Sequence, residues 1–491
     1  MTTGVLDTRG ADVGHDHSHA QNRFAVIPTP VRLDADPNYT GRGVTVAFLD
    51  SGFYPHPDLT DTPGRIKAFI DVTGEDSSLG APAQPWHWHG TQTTVAAAGS
   101  GRLSDGVYRG VAHEASLVLV KVSERGRITE EAIARGLEWV VENRERFRIR
   151  VLNISLGGDE DVPCSQSRID QAAERAVAAG IAVVVAAGNS GDGERPHSIP
   201  PANSPSVITV GGYDDNNEPG TSSLGLYHSN FGPTADGTLK PELVGPAMWV
   251  AAPILPGTEA YRSAECLSRL AAAPDYRLRG LLGQLWRGAG LPESILREDI
   301  GTAREVVESR LRRDRVISAH YQHVDGTSFA APIVSSVVAQ MLEANPNLTP
   351  AAVKNILVST ADRIAGAPPA RQGYGVLNAR RAVAESLREQ HTLDRGAYGP
   401  PRVCPQGVLF SFHDDEARGV GLAGDFNAWD PSRTQLVKGA DGVWSAGVAG
   451  LPPGRHRYKF VVDGVRWVDD PTNGLKEPDE FGGFNSVLNV V

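Results

Sequence analysis

Short runs of apolar and β-branched residues alternate with alanine-rich segments along the first half of the chain, and this rhythm constrains the fold most. Each run is nearly continuously apolar, as expected for a strand that helices cover on both faces. Strands that alternate with helices are typical of an α/β domain built on a parallel sheet. The predicted strands are residues 44–50, 116–122, 151–157, 182–188 and 207–213, with helices at 129–143 and 168–180.

Polar residues that could carry chemistry stand where several of these elements end or begin. Asp50 ends the first strand, Asn189 follows the fourth, and His89 precedes a predicted helix. Ser328 opens a long apolar helix, in which Pro332 lacks the N–H that would bond the Ser328 carbonyl. Functional residues collect at the carboxyl edge of parallel sheets. Each residue alone also has a structural interpretation: Ser328 as a helix cap, Asp50 as a turn residue and His89 as a core histidine.

Together these residues supply the acid, imidazole, alcohol and amide that hydrolysis of a peptide bond requires. The blocks that contain them resemble, in order, the signature blocks of the subtilisin-like serine peptidases. The resemblance covers about residues 40 to 390 and implies an α/β three-layer fold with a mostly parallel sheet. The blocks are VAFLDSGFYPHPDL, HGTQTTVAAAG, VLNISLGG, VVVAAGNSG, SNFGPTADGTLKPELVGPA and DGTSFAAP, with GYGVLNARRAV as the closing element.

The resemblance implies a role for each candidate residue. Ser328 would attack the scissile carbonyl, His89 would take its proton, and Asp50 would orient His89. The side-chain amide of Asn189 and the Ser328 N–H would donate to the oxyanion. A peptide substrate would pair as an added strand, beside walls of the pocket for its P1 residue. These strand and wall residues are Ser155, Leu156, Gly157, Ala186, Ala187 and Gly188.

Three positions depart from the family pattern. Gln92 stands where a second histidine is common, Asp325 precedes Gly326 where serine is commoner, and Phe329 replaces a frequent methionine. None removes an atom of the triad, so the departures concern substrate preference rather than chemistry. Activity is expected to fail below roughly pH 6.5, because protonated His89 cannot act as a base.

The chemistry requires no cofactor, but the resemblance implies that Asp58 could bind a structural calcium ion. The alternative is a surface turn aspartate, because the loop GSGRLSDGVYRG is a poor match to the family's second group of ligands. The cluster HDHSH at 15–19 could bind a metal, or could belong to a flexible N-terminal segment, residues 1–30. FAVIPTPV at 24–31 resembles the short block that lies across the active site of intracellular relatives, or is simply a tail.

Changes in residue pattern divide the chain into a peptidase domain with an insertion and a tail domain. A peptidase domain is expected over residues 31–394, with a helical insertion at about 258–320 that either packs on the domain's flank or forms a lid or exosite. Its leucines at 278, 281, 282 and 285 fall on one helical face. After a boundary rich in glycine and proline near 395–402, period-2 runs predict an all-β sandwich over 402–491.

The sandwich resembles the glycogen- and starch-binding modules found beside isoamylases. Aromatic rings that stack on glucose, with a few polar groups for its hydroxyls, would suit an α-glucan. The resemblance implies glucan contacts at Trp429, Lys459, Trp467 and Asn485, whereas Trp444 is expected in the sandwich core. The alternative is a sandwich used for packing or protein contacts.

The net charge of −11 over 491 residues argues against a nucleic-acid-binding surface. The three cysteines lie far apart, and no apolar run suits a signal peptide or a membrane span. We therefore expect a cytoplasmic serine endopeptidase that acts on peptides or proteins, with no nucleic-acid or membrane partner. Two alternatives stay open: a selective processing peptidase that recognises a partner through the insertion or tail, and a non-catalytic binding protein on the same scaffold.

Overall fold

The computed structural model describes most of the chain outside its first 25 residues. The cluster HDHSH at 15–19 lies outside the described residues. The described ranges are 26–76, 78–80, 82–158, 162–193, 197–218, 224–388, 399–404, 407–439, 442–452 and 454–490.

The first domain combines parallel strands with helices, which confirms the α/β prediction. Its strands are β1 (Thr45–Asp50), β2 (Ile66–Asp71), β3 (Ser116–Lys121), β4 (Ser123–Glu124), β5 (Arg127–Ile128), β6 (Ile149–Ile154), β7 (Ala182–Ala186), β8 (Ile208–Asp214), β9 (Gly225–Leu226), β10 (Gly232–Pro233), β11 (Leu239–Lys240), β12 (Leu243–Pro246), β13 (Val250–Pro253) and β14 (Tyr321–Val324). Its helices are α1 (Thr29–Arg32), α2 (Pro57–Thr60), α3 (Trp88–Ala98), α4 (Glu130–Phe147), α5 (Arg168–Ala178), α6 (Glu259–Ala272), α7 (Asp275–Leu285), α8 (Ile300–Arg313), α9 (Thr327–Ala344), α10 (Pro350–Thr360), α11 (Pro369–Gln372) and α12 (Ala379–Arg388).

The central sheet has the strand order β12-β8-β7-β6-β1-β3-β2, and neighbours along this path run parallel. The chain leaves β1 toward β2 and β3 on one side and later toward β6, β7 and β8 on the other. A sheet whose connections diverge in this way opens a crevice at the carboxyl end of the strand where they part. Asp50 is the last residue of β1 and therefore lies at that crevice.

Two apolar cores cover the two faces of this sheet. One includes Val95 of α3, Val337 of α9 and Val353 of α10, and the other includes Leu137 of α4 and Ile169 of α5. The strands are buried on both sides, which explains their continuous apolar character. No helix in the described part of the chain combines the length and the apolarity needed to cross a lipid bilayer.

The insertion forms a helical subdomain with a core of its own. Helices α6, α7 and α8 bury Leu267, Leu278, Leu282 and Val307 together, and Leu285 packs at the margin. The insertion leaves the domain after β13 and returns at β14, and these two strands pair antiparallel. Since β14 leads directly into α9, the subdomain is anchored beside the start of the helix that carries Ser328.

The described part of the N-terminal block packs on the peptidase domain. Arg32 donates to the carbonyls of Met248 and Trp249 at 2.7 and 3.1 Å and pairs with Asp215 at 3.3 Å. The Ile27 N–H donates to the Asn217 side chain at 2.8 Å. The contacts described for residues 26–33 involve neither Asp50, nor His89, nor Ser328.

The tail domain is a sandwich of two antiparallel sheets. One has the order β15-β16-β19-β18, and the other has the order β17-β20-β23-β22 with β21 paired to β20. Its core buries Phe410, Phe412, Tyr458 and Phe460, and Trp444 joins them as the sequence predicts. The strands are β15 (Arg402–Cys404), β16 (Gly407–His413), β17 (Val420–Gly424), β18 (Val437–Lys438), β19 (Val443–Val448), β20 (Gly454–Val462), β21 (Arg466–Val468), β22 (Lys476–Pro478) and β23 (Phe484–Val490).

The two domains meet through a partly buried polar contact. The Tyr374 hydroxyl of the peptidase domain donates to Asp469 of the tail, which also accepts from Lys476 Nζ at 2.6 Å. The same ammonium lies 4.3 Å from the centre of the Tyr374 ring. Thr238 and Leu475 add an antiparallel bridge between the domains. The tail is therefore docked on the peptidase domain rather than joined to it only by the connecting segment.

Candidate active site

Asp50 and His89 are in direct contact at the carboxyl end of the sheet. His89 is the second residue of α3, and its Nδ1 lies 2.7 Å from Asp50 Oδ1. The same oxygen accepts from the Ser51 N–H at 2.6 Å, and Asp50 Oδ2 accepts from Thr93 Oγ1 at 3.0 Å. Asp50 is 1% exposed, so these donors replace water around its carboxylate. The carboxylate is thereby fixed, and it holds the imidazole with Nε2 directed away from it.

The surroundings of His89 tune its protonation. Burial alone would lower the pKa of His89, but the Asp50 charge and hydrogen bond outweigh it, so the pKa lies above the ordinary 6.5. The Trp88 ring meets the imidazole edge-on at 5.1 Å, and the Phe329 ring lies 6.0 Å away. These rings restrict the imidazole, and Phe329 brings the start of α9 next to it.

Ser328 does not cap α9. The helix begins after Gly326, whose φ of 138° favours glycine, and Ser328 is the second helical residue. Pro332 removes the N–H that would bond the Ser328 carbonyl, and Ser155 Oγ donates to that carbonyl at 2.9 Å instead. Ser328 is partly exposed at the crevice. Its hydroxyl is thus left outside the helix's own hydrogen bonding and open to a substrate.

Ser328 Oγ and His89 are not hydrogen-bonded to each other in the described structure. The contact between their elements is made by Phe329, the residue after Ser328, against the imidazole. Hydrogen bonds between catalytic groups are often long without substrate and tighten in the complex. The structure therefore places the alcohol beside the imidazole without the proton-transfer contact.

Asn189 lies against the first turn of α9 with a defined orientation. Its Oδ1 accepts from both the N–H and the hydroxyl of Thr327, each at 2.9 Å. The Thr327 hydroxyl in turn accepts from the Gly188 N–H at 3.2 Å. With Oδ1 engaged, Nδ2 is the group left to donate. Asn189 itself is exposed, and the Ser328 N–H belongs to the neighbouring turn.

The expected substrate-binding segments run side by side. Ser155, Leu156 and Gly157 follow β6, whereas Ala186 ends β7 and Ala187 and Gly188 follow it, and Ile154 pairs with Val185. Ser155 is 4% exposed, and its hydroxyl accepts from the Asn153 side chain and donates to Ser328. Its side chain is therefore structural, which leaves the backbone of this segment as the part that can meet a peptide.

The supporting contacts of three hydroxyl groups were not found from the sequence, although Ser155 was expected in the substrate-binding segment. Thr93, Thr327 and Ser155 each fix a candidate catalytic residue through a side-chain hydroxyl. Thr93 has a local signal, because it lies four residues after His89 on the same helical face. Gln92, the departure from the family pattern, is 2% exposed and donates to the Pro253 carbonyl at 2.8 Å, so it ties α3 to β13.

The calcium prediction at Asp58 is not supported, because protein donors already engage both carboxylate oxygens. Oδ1 accepts from the Leu103 N–H at 3.2 Å, and Oδ2 accepts from the Tyr321 hydroxyl at 2.5 Å. Arg65 donates to the carbonyls of Asp58, Ala98, Ala112 and Ala115 around this carboxylate. A backbone N–H and a hydroxyl thus occupy the carboxylate oxygens that a calcium ion would bind, so the Asp58 carboxylate as it stands in this structure does not fit as its ligand.

An acidic cluster that the sequence did not suggest lies beyond β2. One oxygen each from Asp71, Glu75 and Asp76 lies within 4.8 Å of the others, a spacing suited to a metal. The Lys121 ammonium lies 2.7–2.9 Å from a carboxylate oxygen of all three. Burial would lower the pKa of Lys121, but these hydrogen bonds raise it. The cluster therefore has carboxylates that could bind calcium, and one lysine hydrogen-bonds all three and offsets part of their charge.

Three of the four predicted glucan contacts share one face of the tail. Lys459 lies on β20, and Trp467 pairs with Val461 two residues further on, so both side chains leave the face away from the sandwich core. Asn485 precedes the fully buried Ser486 and points the same way. Trp467 is 47% exposed.

The fourth residue, Trp429, lies shortly after β17, the strand that pairs with β20. The Trp429 N–H donates to the carbonyl of Gly424, the last residue of β17, at 2.8 Å. Lys459 Nζ contacts the Asp479 carboxylate, so a sugar hydroxyl would meet a charge pair there. The face combines an exposed ring with polar groups.

Comparisons with known proteins agree with this architecture. Residues 41–375 match the subtilase family, and residues 397–475 match carbohydrate-binding module 48, the isoamylase N-terminal domain. Serine protease AprX of Bacillus subtilis (strain 168) is 32% identical over 354 residues, which are 70% of this chain and 67% of that protein. The major intracellular serine protease of the same organism is 38% identical over 176 residues, which are 35% of this chain and 51% of that protein.

A solved structure and a third relative extend the comparison. Subtilisin Savinase of Lederbergia lenta is 39% identical over 181 residues, which are 36% of this chain and 58% of that protein. A solved protease structure from Pseudoalteromonas arctica is 22% identical, with a TM-score of 0.48 over 73% of this chain and 94% of the other. The chain thus spans little more than half the length of two of these curated relatives. The family match over residues 41–375 establishes that the chain belongs to the subtilase family of serine proteases and carries a carbohydrate-binding module 48 at its C-terminal end.

Proposed function

We propose that this subtilase cleaves peptide bonds within proteins, with Ser328 as nucleophile, His89 as general base and Asp50 as the residue that orients and stabilises it. The observation that carries the proposal is the 2.7 Å contact between His89 Nδ1 and Asp50 Oδ1. The Ser51 N–H and the Thr93 hydroxyl hold that carboxylate in place. A carboxylate that accepts from Nδ1–H fixes the tautomer in which Nε2 can take a proton.

The reaction begins when a substrate carbonyl lies next to Ser328. His89 Nε2 accepts the hydroxyl proton as Oγ bonds to the carbonyl carbon, and the resulting imidazolium is stabilised by Asp50. The imidazolium then gives its proton to the departing amine as the C–N bond breaks. A water molecule, deprotonated by His89 in turn, hydrolyses the acyl-enzyme and restores Ser328. No metal or cofactor enters these steps.

Two donors are available for the oxyanion. Asn189 presents Nδ2, because Thr327 engages its Oδ1. The Ser328 N–H lies in the first turn of an 18-residue helix, whose partial positive charge also favours an anion at this end. Loss of one such donor typically lowers the rate by about 10²–10³.

The sharpest test is labelling with a fluorophosphonate, which reacts with an activated serine and needs no knowledge of the substrate. We expect labelling of the full chain and its loss in Ser328→Ala. Ser336→Ala is the matched control, since that hydroxyl lies in the same helix and only bonds the Ile333 carbonyl. Its labelling should equal that of the unchanged protein.

Lack of labelling in the folded, unchanged protein would favour the alternative of a non-catalytic binding protein. A peptide-library digest then addresses the second alternative, a selective processing peptidase. Cleavage of many unrelated sequences disfavours a dedicated partner, whereas cleavage of a single sequence supports recognition through the insertion or the tail. The anchoring of the insertion at β14, just before Ser328, is the observation that keeps this alternative open.

We further propose that the tail binds α-glucan chains. The match to carbohydrate-binding module 48 and the shared face of Lys459, Trp467 and Asn485 support this. Trp467 would stack on the apolar face of a glucose ring, and Lys459 and Asn485 would bond its hydroxyls. Sedimentation with glycogen or amylopectin tests the proposal.

The unchanged protein should sediment with the glucan, and Trp467→Ala should remain in the supernatant. Val465→Ala is the matched control, because Val465 is 80% exposed in the same hairpin but belongs to none of the predicted contacts. Equal sedimentation of all three proteins, or of none, would contradict the proposed site.

We propose a cytoplasmic location and calcium-independent chemistry for the enzyme. The location rests on the expectation from the sequence and on the likeness to a protein named as an intracellular protease. If calcium binds, the cluster of Asp71, Glu75 and Asp76 is the site with suitable ligands, and the ion would have to displace the Lys121 ammonium.

A further inference from the structure

One apolar side chain contacts the inner wall of the cleft expected to receive the P1 residue. Gly157 ends the proposed substrate segment, and a methyl group there would lie 3.2 Å from Cγ1 and from Cδ1 of Ile199. It would also lie 2.9 Å from the Pro200 carbonyl oxygen. Ile199 is half-buried, so its side chain borders accessible space rather than the interior of the domain. The isoleucine therefore occupies the region that the absent side chain of Gly157 leaves open.

The segment that carries Ile199 connects this wall to the opposite one. The His197 carbonyl accepts from the Asn230 side chain at 2.6 Å, and the Asn230 N–H donates to the Gly188 carbonyl at 3.0 Å. A methyl group at Gly188 would lie 2.9 Å from the Asn230 side chain. Contacts thus connect Gly157 to Gly188 through the segment that carries His197 and Ile199.

This closing segment is held in place along its length. The Gly158 N–H donates to the Pro200 carbonyl at 2.8 Å, and the Ala202 N–H donates to the Ile199 carbonyl at 2.9 Å. Further along, Thr209 Oγ1 donates to the Ala202 carbonyl at 2.7 Å. Hydrogen bonds on both sides of Ile199 prevent the segment from withdrawing to admit a large group.

We propose that Ile199 forms the floor of the P1 pocket and restricts cleavage to bonds that follow small, uncharged side chains such as alanine, glycine or serine. This inference rests on the proposed function, in which residues 155–157 and 186–188 form the pocket walls. A branched four-carbon side chain fills depth that a glycine would leave open, and it offers no charge or hydrogen bond to a polar P1 group. A leucine or phenylalanine at P1 would overpack against the fixed Ile199 side chain, so substrates with these P1 residues are excluded.

The test measures kcat/KM for succinyl-Ala-Ala-Pro-X p-nitroanilides in which X is alanine, leucine or phenylalanine. Single methylene groups in such pockets change rates by about 10–200-fold, so alanine should exceed phenylalanine by at least about 10-fold in the unchanged enzyme. Ile199→Gly should cleave the phenylalanine substrate faster than the alanine substrate. Ile199→Val should lower the ratio of kcat/KM for alanine to kcat/KM for phenylalanine by a smaller amount. Ser206→Ala is the matched control, since its hydroxyl lies in the same segment and bonds Glu174 at 2.7 Å. Its ratio should equal that of the unchanged enzyme.

Fluorophosphonate labelling separates this inference from the proposed function. A protein that neither labels nor cleaves any of the substrates would refute the proposed function itself. A protein that labels but cleaves phenylalanine as fast as alanine would refute the role of Ile199, as would Ile199→Gly with an unchanged order. If thermal melting shows that Ile199→Gly does not fold, Ile199→Val decides: a ratio identical to that of the unchanged enzyme overturns the inference.

Discussion

Replacement of Asp50 by asparagine isolates the effect of one charge on His89. The Ser51 N–H points at the oxygen that also contacts His89 Nδ1. In Asp50→Asn the Ser51 N–H requires an acceptor, so the amide oxygen of the new side chain takes the place of Oδ1. The amide NH₂ then takes the place of Oδ2 and donates a hydrogen bond to the Thr93 hydroxyl, which can accept it. The geometry and the tautomer of His89 are therefore kept, while the negative charge is lost.

The size of the effect follows from the separation of the charges. A carboxylate and an imidazolium about 4 Å apart attract each other by about 4 kcal/mol at an effective dielectric constant near 20. Loss of this stabilisation in the transition state lowers kcat/KM by about 10³. Serine proteases in which the same change also reverses the tautomer lose about 10⁴, so a smaller loss is expected here because Ser51 fixes the orientation.

The pH dependence gives the more decisive result. Asp50 is the reason that the pKa of His89 lies above 6.5, and burial opposes it. In Asp50→Asn only the burial effect remains, so the pKa of His89 falls and the base stays neutral to lower pH. The variant should be slower at every pH, yet the acid limb of its kcat/KM profile should move to lower pH.

The assay is kcat/KM on a p-nitroanilide substrate across the acidic to mildly alkaline range, with Asp105→Asn as the control. Asp105 is exposed, and the same change of charge there should leave the profile unchanged. An acid limb that stays in place or moves to higher pH in Asp50→Asn would refute the reasoning, whatever the size of the rate loss.

Three further changes test the supports around the site. Ser155→Ala leaves the Ser328 carbonyl without its donor, so urea unfolding should show a loss of about 1–3 kcal/mol, and unchanged stability would contradict that role. Chelation of calcium should not lower the melting temperature of the unchanged protein, because the Lys121 ammonium already hydrogen-bonds all three carboxylates of the acidic cluster, whereas Lys121→Met should melt lower and recover when calcium is added. Glu242→Gln removes the charge that Lys354 Nζ contacts at 2.7 Å and Lys240 Nζ at 2.8 Å, and it should lower stability by about 3–5 kcal/mol in urea. Equal urea midpoints for Glu242→Gln and the unchanged protein would show that the buried Lys240 and Lys354 ammonium groups do not depend on the Glu242 charge.

Much of the site was accessible from the sequence because its parts are local. The end of a β-branched run placed Asp50 at the sheet's edge, and Pro332 four residues after Ser328 indicated a carbonyl without a helical partner. Periodicity likewise separated the helical insertion and the tail sandwich from the parallel sheet. Such signals are properties of a few neighbouring residues, so they can be identified without knowing what packs against them.

The partners of those residues depend on contacts between distant parts of the chain. Ser155 reaches the Ser328 carbonyl across 173 residues, and Tyr321 reaches Asp58 across 263. The contacts of Asp58 show the same limit, since a family motif supplies the carboxylate but not the Tyr321 hydroxyl that approaches it.

The sequence by itself determined the order of the elements, the identities of the candidate acid, base and nucleophile, and the all-β nature of the tail. The tertiary structure alone decided that Lys121 hydrogen-bonds all three members of an acidic cluster, that Tyr374 and Lys476 bind the tail to the peptidase domain, and that Ile199 meets Gly157. The physical reason is that secondary structure follows from local apolar periodicity. Which side chain fills a given space is instead set by how loops from separate strands converge.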